Sequence, residues 1–238
     1  EWAGHIAART SATVVRVGFE ESNDWRVSDV RLDKDGTMFQ VESPPTELSG
    51  EYRVRLSGRH QALNALFAIA IGAELGLSRA EIERGLMDCP QPKMRLQVYD
   101  VGNVRILDDT YNANVDSMIA ALRTLQEIPC KGRRMAILGD MGELGIHSEA
   151  AHVEVGRRAA ESGVGQLFAV GKMAGVMAKA ARDAGLNRVL EFEDVETAAA
   201  AVKSFVKAGD ALLVKASRAS RLERMIDLLR SGDVAKKN

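Results

Sequence analysis

Three segments carry residues able to do chemistry. LDDTYNAN at 107–114 sets two aspartates and two asparagines in one short stretch. Asp109, at a strand end, could accept both hydroxyls of a ribose, and Asn112 and Asn114 could bond polar ligand atoms. The same residue types also cap helices and build turns, and Asp116 is the natural N-cap of the helix that follows. KASR at 215–218 falls where a strand should give way to a helix, so orphan N–H groups and the helix dipole would favour an anion beside Lys215, Ser217 and Arg218. Solvated charges around an ordinary cap are the plain alternative. GDMGELG at 139–145 spaces its glycines as G-x-x-G-x-x-G and carries the carboxylates of Asp140 and Glu143. It is not the dinucleotide fingerprint, and no G-x-x-x-x-G-K-[ST] occurs, so a Rossmann-like layout alone does not imply NAD. His147 and His152 are five apart, whereas zinc pairs on one helical face want three or four, so both read as surface or capping residues.

The elements that position these segments follow from periodicity. Residues 1–56 read as β-rich: TVVRVGF (13–19), WRVSDVRL (25–32), TMFQV (37–41) after the turn DKDG, and YRVRL (52–56), a short antiparallel set. HQALNALFAIAIGAEL from His60 to Leu75 is apolar on most faces and should be a well-buried helix. Ser78 with Glu81 forms a capping box for a second helix, and PQP at 90–92 ends it and is the candidate linker and hinge. Beyond it, strands at 104–107, 133–139, 166–171, 188–192 and 211–216 alternate with helices near 116–126, 148–161, 172–183, 194–205 and 218–230. Near-continuous apolar strands between helices mean an α/β domain with a doubly wound, mostly parallel, Rossmann-like sheet. Ligands bind such sheets off the carboxyl ends of the strands, where all three segments fall.

The chain has 238 residues, with 32 Lys and Arg against 33 Asp and Glu, a net charge of −1. That balance gives no electrostatic case for nucleic acid or an anionic membrane surface. Hydrophobic residues at 46% rule out a disordered chain. No apolar run reaches the roughly 18 residues of a membrane span, and Cys89 and Cys130 in unrelated contexts fit a reducing compartment. The opening EWAGHI lacks a signal region and is expected to begin inside a longer protein.

Taken together, GRHQALNALFAIA (58–70), ILDDTYNANVDSM (106–118), ILGDMGELG (137–145) and LVKASRASRLE (213–223) resemble the Mur ligase family, in order and spacing. Within it they resemble the member that adds D-alanyl-D-alanine to UDP-N-acetylmuramoyl-tripeptide. The resemblance implies a cytoplasmic bacterial ligase, monomeric, acting on ATP with Mg2+ through an acyl phosphate. It implies that residues 1–92 are the β-rich and helical remnant of a central ATPase domain, and that 93–238 are the Rossmann-like C-terminal domain. The phosphate loop, the catalytic residues and the metal ligands would then lie outside this chain, and the chain alone would be inactive. Carried over by motif, Asn64, Arg95, Asp109, Tyr111 and Asn112 would bind ATP. Asn114, Lys215, Ser217 and Arg218 would take the dipeptide, with Asp140 and Glu143 as weaker candidates.

Three departures from the family pattern bear on this. Gln61 stands in the second position of H-N-x-x-N, Met94 replaces the Gly of G-R-M, and Ala216 replaces the Gly of K-G-S-R. A positive φ at Ala216 would be strained. Another Mur-type amide ligase, such as folylpolyglutamate synthase, and a non-catalytic nucleotide-binding module are the competing readings.

Overall fold

The computed structural model describes residues 2–33, 35–90 and 93–231. They fall into two compact units, the first within Glu1–Arg31, Thr37–Arg55 and Arg59–Cys89, the second within Leu32–Gly36, Leu56–Gly58 and Pro90–Asn238.

The first unit is built from α1 (Trp2–Ala7), β1 (Val17–Gly18), β2 (Trp25–Asp33), β3 (Gly36–Glu42), β4 (Gly50–Val54), α2 (Arg59–Glu74) and α3 (Arg79–Asp88), except for the ends of β2 and β3 within Leu32–Gly36. The strands form one sheet in the order β1-β2-β3-β4. β3 and β4 pair antiparallel as expected, but β1 is only two residues and runs parallel to β2. The alternation in TVVRVGF therefore overstated a strand: Val14 and Val15 are exposed and find no sheet partner to extend it. Trp25, Val27, Phe39, Val41, Tyr52 and Val54 alternate into a core that receives Ala62, Leu66 and Ile69 of α2. The expectation of a well-buried α2 is half corrected. Phe67, Ile71 and Leu75 are 46%, 59% and 73% exposed, because only one face of the helix packs on described residues. Ser78 closes the predicted capping box with Glu81. Of the linker, Gln91 and Pro92 lie outside the described residues, as does Lys34 of the DKDG turn.

The second unit contains β5 (Gln97–Val101), β6 (Val104–Asp109), α4 (Val115–Glu127), β7 (Arg134–Gly139), α5 (Ser148–Glu161), β8 (Gln166–Val170), α6 (Ala174–Asp183), β9 (Val189–Phe192), α7 (Val195–Phe205), β10 (Ala211–Lys215) and α8 (Glu223–Ser231). The sheet order is β5-β6-β10-β7-β8-β9. Five strands are parallel, and β5 is an antiparallel edge that the strand–helix pattern did not reveal. Period-two alternation sends Leu107, Leu138, Leu167 and Leu213 to α4, α5 and α6, and Ile106, Ile137, Phe168 and Leu212 to α7 and α8. Helices on both faces make this a doubly wound α/β sheet. β10, last in sequence, lies between β6 and β7, so its carboxyl end reaches both of the other chemistry-bearing segments.

Two element starts differ from expectation. Asn114, not Asp116, caps α4: its Oδ1 accepts the Ser117 N–H at 2.8 Å while Ser117 Oγ accepts the Asn114 N–H at 3.0 Å. Asp116 sits in the first turn instead. After β10 a 3-10 turn (Arg218–Ser220) and a left-handed Arg221 (φ 49°) delay α8 to Glu223. KASR therefore does not stand at the amino end of that helix, and the dipole argument for an anion there fails.

Candidate functional site

The site is built at the carboxyl ends of β6, β7 and β10. Lys215 and Asp109 are direct partners in the parallel register of β10 and β6. Lys215 Nζ lies 2.6 Å from Asp109 Oδ2 and donates to the carbonyl of Asn112 at 2.8 Å. The lysine side chain is 2% exposed and the aspartate side chain 14%. Burial pushes the Lys215 ammonium below the usual lysine range, and the Asp109 charge partly offsets it. Asp109 Oδ1 accepts the Leu96 N–H at 3.0 Å. Lys215 is thus committed to fixing Asp109 and the 110–113 turn. A direct contact with a dipeptide does not fit a side chain so enclosed.

The pleat sends Asp108 to the opposite face. There it accepts from Thr110 Oγ1 at 2.7 Å and Tyr99 Oη at 3.2 Å. Burial first, and then the Asp108 charge, push the Tyr99 phenol well up.

Arg95 and Tyr111 meet on the rim, the guanidinium 4.4 Å from the ring centroid, and both are exposed. The turn that carries Arg95 is strained. Met94 and Leu96 both adopt left-handed φ, 62° and 49°, and the Met94 carbonyl accepts the Tyr111 N–H at 3.0 Å. The strain anticipated at Ala216 is therefore located at Met94. Ala216 is not left-handed; it is wholly buried and faces Gly139, where an added Cβ would stand 2.8 Å from the Ala216 methyl. Arg218 is exposed and pairs with Glu223 at 3.1 Å; the second carboxylate oxygen of Glu223 is buried without a hydrogen-bond partner.

Asp140 is a brace. Its carboxylate accepts the N–H groups of Lys172 and Met173, each at 2.9 Å, and its carbonyl accepts the Ser217 N–H at 2.9 Å. A Cβ on Gly171 (φ 113°) would stand 2.6 Å from that carboxylate, so the close approach requires glycine. An amine-orienting role for Asp140 does not fit these bonds. Glu143 is exposed and left-handed (φ 62°) at the tip of the same loop. Gly142 packs beside Ser217, an added Cβ lying 3.5 Å from Ser217 Oγ. Asn112 is exposed, its Oδ1 accepting the Ala113 N–H, and Asn114 is committed to its cap.

His152 was missed. It is neither surface nor cap: it is fully buried, its Nε2 is 3.0 Å from the Met141 N and its Nδ1 2.7 Å from the Ser148 carbonyl. Its place in the second turn of α5, facing back to GDMG, was the available signal. His147 caps α5 without a side-chain bond. Asn64 stands in the first unit, on α2, exposed and donating to Gln61 Oε1 at 3.1 Å.

A cleft of about 880 Å3 opens at the opposite end of the sheet, near Arg105, Lys131, Arg134 and Asp210. Its arginines are already committed: Arg105 to Asp100 at 3.0 Å, and Arg134 to the Leu125 and Ile128 carbonyls. Among the described residues no group of three or more His, Cys, Asp or Glu could hold a metal ion, and no helix is long and apolar enough to cross a membrane.

Residues 94–218 match the Mur ligase, glutamate ligase domain, and residues 1–72 match the Mur ligase middle domain. The chain is 31% identical over 212 residues to the UDP-N-acetylmuramoyl-tripeptide–D-alanyl-D-alanine ligase of Bacillus subtilis, covering 88% of this chain and 46% of that protein. It is similar in structure to MurF from Acinetobacter baumannii, with a TM-score of 0.77 and 28% identity over 90% of this chain and 46% of that one. It is also similar to a MurF ligase from Thermotoga maritima solved in complex with ADP, with a TM-score of 0.72 and 25% identity over 92% and 48%. The chain spans about half the length of the curated relatives it matches.

Proposed function

The chain belongs to the Mur ligase family, and we propose that it is part of an ATP-dependent ligase that adds D-alanyl-D-alanine to UDP-N-acetylmuramoyl-tripeptide. The observation that carries this reading is the meeting of three motifs at one rim. Asn112 and Lys215, 103 residues apart, are joined by a hydrogen bond, and Ser217 is tied to Asp140. The likeness to a ligase solved with ADP supports a nucleotide-using enzyme.

In this reading the peptide carboxylate takes the γ-phosphate of ATP, and the dipeptide amine then displaces phosphate from the acyl phosphate. Positioning and charge stabilisation carry most of such a step. Asp109 takes the ribose hydroxyls, Arg95 and Tyr111 flank the nucleotide, and Asn112 borders it. Asn64 is assigned to the adenine side. Ser217, Arg218 and Glu143 face the dipeptide, while Lys215 and Asp140 hold the rim in shape. The magnesium ion that accompanies ATP is assigned no ligand in this chain. Residues 1–92 would belong to the ATPase domain and 93–238 to the C-terminal domain of a monomeric, cytoplasmic bacterial enzyme.

The test is phosphate release by the full-length protein with ATP, magnesium and UDP-tripeptide. Release that requires D-alanyl-D-alanine supports the proposal. Release with a folate and L-glutamate instead would transfer it to a sister ligase. ATP binding without turnover on either substrate set would leave a nucleotide-binding module. The 238-residue chain alone is expected to release none.

A further inference from the structure

We propose that His152 is a positioning residue for the dipeptide side of the rim, a role that rests on the ligase reading above. Met141 presents an N–H to His152 Nε2 at 3.0 Å, and only a bare ring nitrogen can receive it. The ring proton therefore sits on Nδ1 and is donated to the Ser148 carbonyl at 2.7 Å. The imidazole is thus a neutral strut between the start of α5 and the loop after β7. It is wholly enclosed, so the Met141 N–H has no water to turn to if the acceptor is removed.

What the strut holds is specific. The Met141 side chain is anchored in the core among Ala151 and Val155, and Asp140 is pinned by Lys172, Met173 and Ser217. The chain between these pins and the Leu144 carbonyl, which accepts the His147 N–H at 3.0 Å, is only Gly142 and Glu143. Gly142 lies against Ser217, and Glu143 is held in a left-handed conformation beside it. A shift of the Met141 amide moves both residues relative to Ser217. Asp109 is held by Lys215 and the Leu96 N–H, the Tyr111 N–H by the Met94 carbonyl, and Arg95 lies over the Tyr111 ring. Loss of His152 should therefore disturb one substrate and spare the other.

The experiment compares His152→Leu and His152→Gln in the full-length enzyme, with KM measured separately for D-alanyl-D-alanine and for ATP. Gln can offer an oxygen near the Nε2 position, and Leu cannot. The expected result is a dipeptide KM raised at least fivefold by Leu, an ATP KM within twofold of wild type, and recovery of most of the dipeptide KM by Gln. Equal increases in both KM values, or unchanged values in a Leu variant that only melts lower, overturn the proposal in favour of a purely structural role. If the wild-type enzyme does not use D-alanyl-D-alanine, the ligase reading fails first. The strut is then read in the 238-residue chain by nitrogen NMR of the ring and amide exchange at Met141. A proton on Nε2, or a Met141 amide that exchanges as fast in wild type as in the Leu variant, overturns it independently.

Discussion

Lys215 Nζ stands 2.6 Å from Asp109 Oδ2, the two residues being register partners at the carboxyl ends of adjacent parallel strands. A carboxylate at this place in a doubly wound sheet is positioned for a ligand, but it needs a fixed orientation to be useful. The lysine supplies that orientation and ties in the Asn112 carbonyl with the same ammonium. The pair is largely enclosed, so neither charge is well solvated without the other.

Removing the lysine alone should therefore be costly. Lys215→Met is expected to destabilise the chain by about 3–5 kcal/mol, because it strands a buried carboxylate. Lys215→Met combined with Asp109→Asn should recover much of the loss. Urea unfolding of the single and double variants measures this; a double variant no more stable than the single would show that the two charges are not coupled.

A second ion pair gives the pH dependence. Asp210 lies 2.6 Å from Arg133 and accepts the N–H groups of Arg133 and Lys207, each at 2.8 Å. Burial alone would raise its carboxyl, but these bonds hold it below the usual aspartate range. A folded pKa lower than the unfolded one contributes stability above the unfolded value, lost as pH falls through the folded one. Asp210→Asn should cost about 2 kcal/mol at neutral pH, since the half-exposed Arg133 keeps water when its partner goes. The cost should shrink as pH falls below about 4, where the unfolded chain takes up the proton, and vanish only below the lower folded value. Denaturation midpoints of both proteins from neutral to acid pH check the sign, and a cost that grows on acidification contradicts it.

Much of this architecture was legible in residue pattern. The helix expected over 148–161 is α5, Ser148–Glu161. β5 was not found: QVYDV is half-buried on an edge and lacks the apolar run of its parallel neighbours. The rim motifs were visible by type, but their division of labour was not. Whether Lys215 faces a ligand or Asp109 depends on β10 entering between β6 and β7, a long-range pairing that leaves no local trace. His152 differs from a surface or capping residue for a more local reason. Its partner Met141 lies across a loop, and spacing to His147 carried no information about it.

Met94 stands in a conformation that favours glycine, with φ 62°. A β-branched residue tolerates that region less well than methionine. Met94→Val is expected to destabilise the chain by about 1 kcal/mol or more, while Met94→Gly should be close to neutral as strain relief offsets added chain entropy. Thermal melts of the two variants decide this. A valine variant as stable as wild type would mean that the turn is not left-handed in solution.

Gly139 and Ala216 fit as a pair. A methyl on residue 139 would stand 2.8 Å from the methyl of Ala216, closer than real contacts allow. Gly139→Ala should therefore cost about 1–3 kcal/mol as overpacking, and adding Ala216→Gly should restore most of it. Unfolding free energies of the double-mutant cycle test this, with additive losses as the contrary result.

The most direct test of the nucleotide assignment is the ATP dependence of Asp109→Asn and Asp108→Asn in the full-length enzyme, with folding checked by melting temperature. Asp109 faces Lys215 and the Leu96 N–H, whereas Asp108 faces Tyr99 and Thr110 on the other side of the sheet. A lost charged hydrogen bond is worth roughly 1.5–3 kcal/mol, so kcat/KM for ATP should fall about ten- to a hundredfold in Asp109→Asn and stay near wild type in folded Asp108→Asn. An Asp109→Asn enzyme with unchanged ATP kinetics, beside a folded Asp108→Asn enzyme that has lost them, would contradict the account.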